Sequence, residues 1–378
     1  MNFEFTKEQE AVRQMVSEFA EKEVKPIAGL IDITEDFPAE NVKKLFRYGI
    51  MGMGVPTVYG GAGADEIASA IAVEELSRVC GTTGVIVAAH NSLCCYPIYK
   101  YGTEDQRNKY LPMLTGGVVG AFALTEPNAG TDASAQQTVA VLDGDHYVLN
   151  GSKIFITNGG VAGVFIVFAM TDKSKGTRGI TAFLVEKDFP GFSIGKREDK
   201  MGIRASSTCE LVFENCIVPK ENLLGGEGKG FKIAMATLDG GRIGIAAQAL
   251  GIAQGAIDEA VKYTKQRIQF GKPISAFQNT QFVLADLETK INAARLLVYS
   301  ASMAKKSGKP FSKEAAMAKL YASEVAMEVT TKALQFHGGY GYTKDYPIER
   351  MMRDAKITEI YEGTSEVQRM VISGALLK

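Results

Sequence analysis

The chain has 378 residues, of which 46% are hydrophobic and 22% charged. That length exceeds what one core usually supports, so two or three subdomains are expected. A formal net charge of -1 gives no basic surface for nucleic acid or an anionic membrane, and no apolar run reaches bilayer-spanning length.

Cysteine usage points to a reducing compartment. Cys80, Cys94, Cys95, Cys209 and Cys216 form no CxxC pair, and the three histidines are far apart, so no metal site is expected. Buried free thiols are the expected state. The start, Met1-Asn2-Phe3-Glu4, lacks the basic and apolar regions of a leader, so a cytoplasmic location is expected.

From 8 to about 114 the pattern is helical. Val12, Met15, Val16, Phe19 and Ala20 form one apolar stripe, and Val42, Leu45 and Phe46 mark a second helix. A Gly- and Pro-rich loop covers 52–63. Helices are predicted over 64–79 and 82–101, and Thr103 is placed to cap another. The character changes near Gly116-Gly117. Residues 139–142 and 146–150, around Asp143-Gly144-Asp145, predict a β-hairpin. Further short strands are predicted at 155–157, 164–170, 180–186 and 209–213, which suggests a small barrel or sandwich. Helices return at 233–267, 278–307, 313–336 and from Ser365, enough for a bundle. The expected fold class is therefore α+β: a helical domain (1–117), a middle β domain (118–226) and a C-terminal helical bundle (227–378).

Two Gly-rich stretches lead nowhere. Gly225-Gly226-Glu227-Gly228-Lys229-Gly230 has the wrong spacing for a P-loop and lacks the Ser or Thr after its lysine. Gly52-Met53-Gly54 does not continue as a dinucleotide fingerprint.

Five other stretches carry donors, aromatics or carboxylates in suggestive order. They are Phe122-Ala123-Leu124-Thr125-Glu126-Pro127-Asn128-Ala129-Gly130-Thr131-Asp132 and Asn150-Gly151-Ser152-Lys153-Ile154-Phe155-Ile156-Thr157-Asn158, then Leu238-Asp239-Gly240-Gly241-Arg242. Gln266-Arg267-Ile268-Gln269-Phe270-Gly271 with Phe277-Gln278, and Gln335-Phe336-His337-Gly338-Gly339, follow. By spacing alone each also has an ordinary reading as a turn, a helix seam or a surface ion pair.

The most informative stretch is Ile360-Tyr361-Glu362-Gly363-Thr364-Ser365-Glu366-Val367-Gln368. Gly363 permits a sharp turn after Glu362. Thr364 and Ser365 are good N-caps, and Gln368 is spaced to complete a capping box from Ser365. A carboxylate beside Ile360 and Tyr361 loses solvation, which raises its pKa toward that of a working base. A solvated glutamate before an ordinary helix remains the alternative.

Taken together, and in this order, the motifs resemble the acyl-CoA dehydrogenase family over nearly the whole chain. The resemblance implies FAD as cofactor, touched by Phe122, Leu124, Thr125, Gly130, Thr131, Phe155, Ile156, Thr157, Thr364 and Glu366. Arg267, Gln269, Phe270, Phe277, Gln278, Gln335, Gly338 and Gly339 would serve FAD across a subunit boundary. This implies a homo-oligomer, with a tetramer usual. Thr131, Asp239, Arg242, Tyr361 and Gly363 would touch the acyl-CoA substrate. Phe155 stands where Trp is usual, which keeps an aromatic face and loses an indole N–H. The resemblance makes Glu362 the base that removes the substrate's α-proton while the β-hydrogen leaves as hydride to the flavin. Some relatives place that base at the position of Gly241, which cannot serve. Ala88-Ala89-His90-Asn91-Ser92-Leu93 is similar to the butyryl-CoA branch of anaerobic bacteria. Electron-transfer flavoprotein is the implied partner, and enoyl-CoA reduction the implied alternative direction. An O2-using acyl-CoA oxidase and a silent flavin- or CoA-binding protein are the competing readings.

Overall fold

The computed structural model describes residues 4–377. Residues 1–3, from which the lack of a leader was read, lie outside them.

The N-terminal third is helical: α1 (Lys7–Phe19), α2 (Lys25–Thr34), α3 (Ala39–Arg47), α4 (Glu66–Val79), α5 (Gly81–Ala88), α6 (Tyr96–Tyr101) and α7 (Glu104–Gly116). Local chemistry sets several boundaries. The Thr103 hydroxyl accepts from the Gln106 N–H at 3.2 Å, and the Gln106 side chain accepts from the Thr103 N–H at 3.0 Å, closing a capping box. Thr6 and Gln9 repeat it on α1.

The helix expected over 82–101 is a rod with a wider π-helical segment, Ala89–Cys95, between α5 and α6. Such segments are frequent at functional sites. Here the segment holds His90, which is wholly buried. Its Nδ1 accepts the Gly120 N–H at 3.0 Å, so Nε2 carries the proton and donates to the Met51 carbonyl at 3.0 Å. Burial pushes His90 down to about 4, so the ring is neutral and structural.

The middle region is one eight-stranded sheet. Its strands are β1 (Gly120–Ala123), β2 (Val139–Asp143), β3 (His146–Ile156), β4 (Val164–Met170), β5 (Ile180–Glu186), β6 (Phe192–Arg197), β7 (Cys209–Pro219) and β8 (Leu223–Leu224). The order is β6-β7-β3-β2-β4-β5-β8, with β1 parallel to β4. The predicted hairpin is present, with Val139 opposite Asn150 and Asp143 opposite His146. β4 is buried throughout because both its faces are covered. Phe165, Val167 and Ala169 join Leu149, Leu211 and Phe213 in the sheet's own core. Val164, Ile166 and Phe168 pack instead with Ile98, Leu111 and Leu114 of the N-terminal helices. Two features differ from expectation. The pieces predicted at 146–150 and 155–157 are one bulged strand, and β6 was not foreseen.

The C-terminal part is a bundle of α8 (Gly230–Gln266), α9 (Gln278–Lys306), α10 (Ser312–His337) and α12 (Ser365–Leu376), crossed by α11 (Ile348–Ile357). A two-stranded tongue, β9 (Ile268–Gln269) with β10 (Lys272–Pro273), links α8 to α9. Buried Ala246, Ala249, Ala253, Ala256 and Ala260 line α8, and Ala315, Ala318, Ala322, Ala326 and Ala333 line α10. Small residues also let α8 press against α4: a Cβ on Gly255 would sit 1.9 Å from the Arg78 carbonyl oxygen.

Candidate active site

Glu362 stands on the turn between α11 and α12. Its φ is 54°, a left-handed conformation unusual for a residue with a side chain, and Gly363 follows at 96°. Thr364, with extended backbone, caps α12 by accepting the Val367 N–H at 3.4 Å. The capping box expected from Ser365 does not form, because Ser365 is already the first helical residue. Gln368 is fully buried and reaches back into the turn, donating to the Gly363 carbonyl at 2.8 Å and the Glu362 carbonyl at 3.4 Å. From α10, the wholly buried Lys319 donates to the same Gly363 carbonyl at 2.6 Å. The turn is thereby tied to two helices, which can sustain a strained backbone.

The Glu362 carboxyl points at α8. Its Oε2 is inaccessible and has no hydrogen-bond partner among the described residues. A Cβ on Gly241 would lie 2.1 Å from that oxygen and 2.8 Å from Leu93 Cδ2, so the missing side chain is the space the carboxyl uses. Loss of solvation pushes Glu362 up to about 7, against the pull of Lys319 and Arg242. A carboxyl poised there exchanges protons at neutral pH. Arg242 is itself buried and paired to Asp239 at 2.5 Å. Burial lowers its pKa, and burial pushes Lys319 down to about 8. Tyr361 donates its hydroxyl to Gln248 Oε1 and packs with Val85, Ile203 and Ile245.

Next to this turn lies a cavity of about 290 Å³. Phe155, Thr157, Met201, Arg353, Ile360 and Tyr361 line part of it. Phe155 is 59% exposed at a φ of 58°, next to a register shift of β3 on β7 between Lys153 and Ile156. The irregularity re-aims the ring out of the sheet. Ile156 and Leu124 are buried in the two cores, so only their backbone remains to face a ligand. Phe122 packs on Phe168, with centroids 4.9 Å apart. Thr125 is half-buried, and Gly130 and Thr131 are exposed.

The loop carrying Thr125 to Thr131 is anchored by a buried ion pair. Lys153 Nζ lies 2.7 Å from Glu126 Oε1, with 0% and 3% of the two side chains exposed. Lys153 also donates to the Leu124 carbonyl, and Glu126 accepts the N–H groups of Gln137 and Thr138.

A second cleft, of about 510 Å³, gathers Arg267, Gln269, Gly338, Gly339 and Tyr340. It shares no lining residue with the first. Arg267 lies 5.9 Å from the Tyr340 ring centre. Phe270, on the tongue, is 94% exposed and meets Phe277 edge-on. Gln278 and Gln335 are exposed nearby in sequence, as is Glu366 at the start of α12. Of the expected site residues, Phe155, Thr157 and Tyr361 thus line one cavity of the protomer and Arg267, Gln269, Gly338 and Gly339 another. Four supporting residues were given no such role by the sequence: Lys319 and Gln248 reach the turn from afar in sequence, while Gln368 and Lys153 lie inside the motif stretches and act through contacts that spacing does not show.

The helical–sheet–helical order, the desolvated carboxyl and the exposed aromatic in a cleft together fit an oxidoreductase with a planar organic cofactor. The acyl-CoA dehydrogenase N-terminal, middle and C-terminal domain families match residues 6–118, 121–216 and 228–377. The chain is 66% identical over 379 residues to a short-chain-specific acyl-CoA dehydrogenase of Clostridium acetobutylicum, covering 100% of both chains. It is 56% identical over 381 residues to an acryloyl-CoA reductase (NADH) of Anaerotignum propionicum, covering 100% of this chain and 96% of that one. Among solved structures, butyryl-CoA dehydrogenase from Megasphaera elsdenii matches with a TM-score of 0.98 at 55% identity over 100% of both chains. A chain from work on the electron transferring flavoprotein of Acidaminococcus fermentans matches at 0.99 and 59%, again over 100% of both. The chain belongs to the acyl-CoA dehydrogenase family, whose members are FAD-dependent.

Proposed function

We propose that this chain interconverts a short straight-chain acyl-CoA, with butyryl-CoA as the leading case, and its trans-2-enoyl-CoA, and that Glu362 is the proton-transferring base. The observation that carries the reading is the unpartnered, solvent-shielded Glu362 oxygen set into the gap left by Gly241.

Glu362 takes the proton from the carbon next to the thioester. Burial fits it for that step: at a pKa of about 7, much of it is ionised at neutral pH, and it still binds a proton strongly. The carbonyl oxygen of the thioester gains charge as that proton leaves, and a backbone N–H at the Glu362 turn is a suitable donor to it. Tyr361, Asp239, Arg242, Gly363 and Thr131 are the residues we assign to substrate.

The residues fit FAD. Phe155 offers an exposed ring beside the cavity, and the Thr125–Thr131 loop offers hydroxyl and N–H donors. Phe122, Leu124, Ile156, Thr157, Thr364 and Glu366 complete this group. Bound FAD supplies the acceptor for the two electrons that leave with the β-hydrogen. Arg267, exposed and without a carboxylate partner among the described residues, suits a pyrophosphate. With Gln269, Phe270, Phe277, Gln278, Gln335, Gly338 and Gly339 it forms the separate surface that we assign to the FAD of a neighbouring subunit. The chain thus works as a homo-oligomer, with a tetramer as the expected state.

The similarity to a chain from electron transferring flavoprotein work supports such a flavoprotein as redox partner, and the acryloyl-CoA reductase relative supports operation as a reductase. A cytoplasmic location agrees with five buried, unbridged cysteines. We keep the domain limits 1–117, 118–226 and 227–378.

Anaerobic titration of the FAD-loaded protein with acyl-CoAs of increasing length tests the reading. Flavin bleaching strongest with butyryl-CoA is expected. No bleaching by any acyl-CoA refutes it, and rapid peroxide formation in air indicates an oxidase instead.

A further inference from the structure

Lys319 lies on α10 and is 0% exposed. A buried ammonium is costly unless paired, and it has three donors to satisfy. Among the described residues Lys319 has no carboxylate within ion-pair distance, and its one hydrogen bond, at 2.6 Å, goes to the Gly363 carbonyl. A lone bond to a main-chain oxygen is a poor reason to bury a lysine. That oxygen, however, belongs to the residue after Glu362, and Gln368 donates to it as well.

We propose that Lys319 is a positioning residue for the reaction: its ammonium clamps the Glu362-Gly363 turn and supplies the positive charge that keeps the Glu362 carboxyl ionisable. This rests on Glu362 being the base. The surrounding charges support it. Glu362 faces Lys319 from α10 and Arg242 from α8, with Tyr361 beside it. Arg242 is largely committed to Asp239 at 2.5 Å, which leaves Lys319 as the cation without a bound carboxylate. Lys319 in turn feels Glu362, Arg242, Glu359 and Glu366. Its own pKa, lowered by burial to about 8, leaves it charged where Glu362 titrates.

Two variants separate clamp from charge. Lys319→Gln keeps an N–H donor and removes the charge, and Lys319→Met removes both. In the FAD-loaded oligomer we measure flavin reduction by butyryl-CoA against pH. In parallel, the carboxylic C=O infrared band that vanishes in Glu362→Gln is titrated. The proposal expects both variants to move the midpoint of the Glu362 band, and the acid limb of the rate, upward by about one pH unit. That is the low end of what an adjacent opposite charge does to a carboxyl. Lys319→Met is expected also to lower the rate plateau at high pH, and Lys319→Gln to retain most of it. An unmoved infrared midpoint in Lys319→Gln, with only a lower melting temperature, overturns the proposal and leaves the base assignment standing. Normal flavin reduction by Glu362→Gln overturns the base assignment and the Lys319 role together.

Discussion

Gly241→Ala is a small change with a large expected effect. The added Cβ would stand 2.1 Å from Glu362 Oε2, whereas ordinary contact begins at 3.4 Å. The carboxyl must therefore retreat by about 1.3 Å, in a site where misplacement by about 1 Å can cost 100-fold in rate. Retreat of α8 is blocked, since Gly251 and Gly255 already meet the backbone of α4 closely, and Leu93 crowds the same methyl at 2.8 Å. Alanine is the better helix former by about 1 kcal/mol, so the fold should hold. The assay is anaerobic rapid mixing with butyryl-CoA, with FAD content and melting temperature checked beside it. We expect FAD retained and reduction at least about 100-fold slower. Reduction within about threefold of the parent rate would refute the packing argument, because Glu362 would not then need that space.

The acid limb of kcat/KM should report Glu362. Burial raises its pKa to about 7, so below that pH the base is increasingly protonated and the rate falls about tenfold per unit. A flat profile down to pH 5 contradicts the assignment. Lys153→Met should strand the buried Glu126 charge and cost about 3–5 kcal/mol in thermal or urea unfolding, with weaker FAD retention. A melting temperature equal to the parent's would show that the pair does not anchor the loop.

Much of the fold was legible because its signals are local. The Thr103 cap and the Asp143-Gly144 hairpin were both read from short stretches, and both are present, the cap as a full capping box with Gln106. Glu362 was legible through its motif, and the resemblance supplied a role that spacing alone left open. The support around it was not legible. Lys319 is 43 positions before Glu362 in the chain and reads as one more helical lysine. Gln368 looked like half of a capping box and instead holds the turn. The left-handed conformations of Glu362 and Phe155 also have no local sequence signal, since glycine or asparagine is the usual occupant. Strand β6 escaped because Phe192–Arg197 has mostly half-exposed side chains and weak alternation.

The most direct test of the whole account is Glu362→Gln, which keeps the shape of the side chain and removes its ability to take a proton. The account predicts a yellow, FAD-loaded protein that still binds butyryl-CoA and reduces its flavin at least about 100-fold more slowly under anaerobic mixing. Flavin reduction at the parent rate in that variant would contradict it.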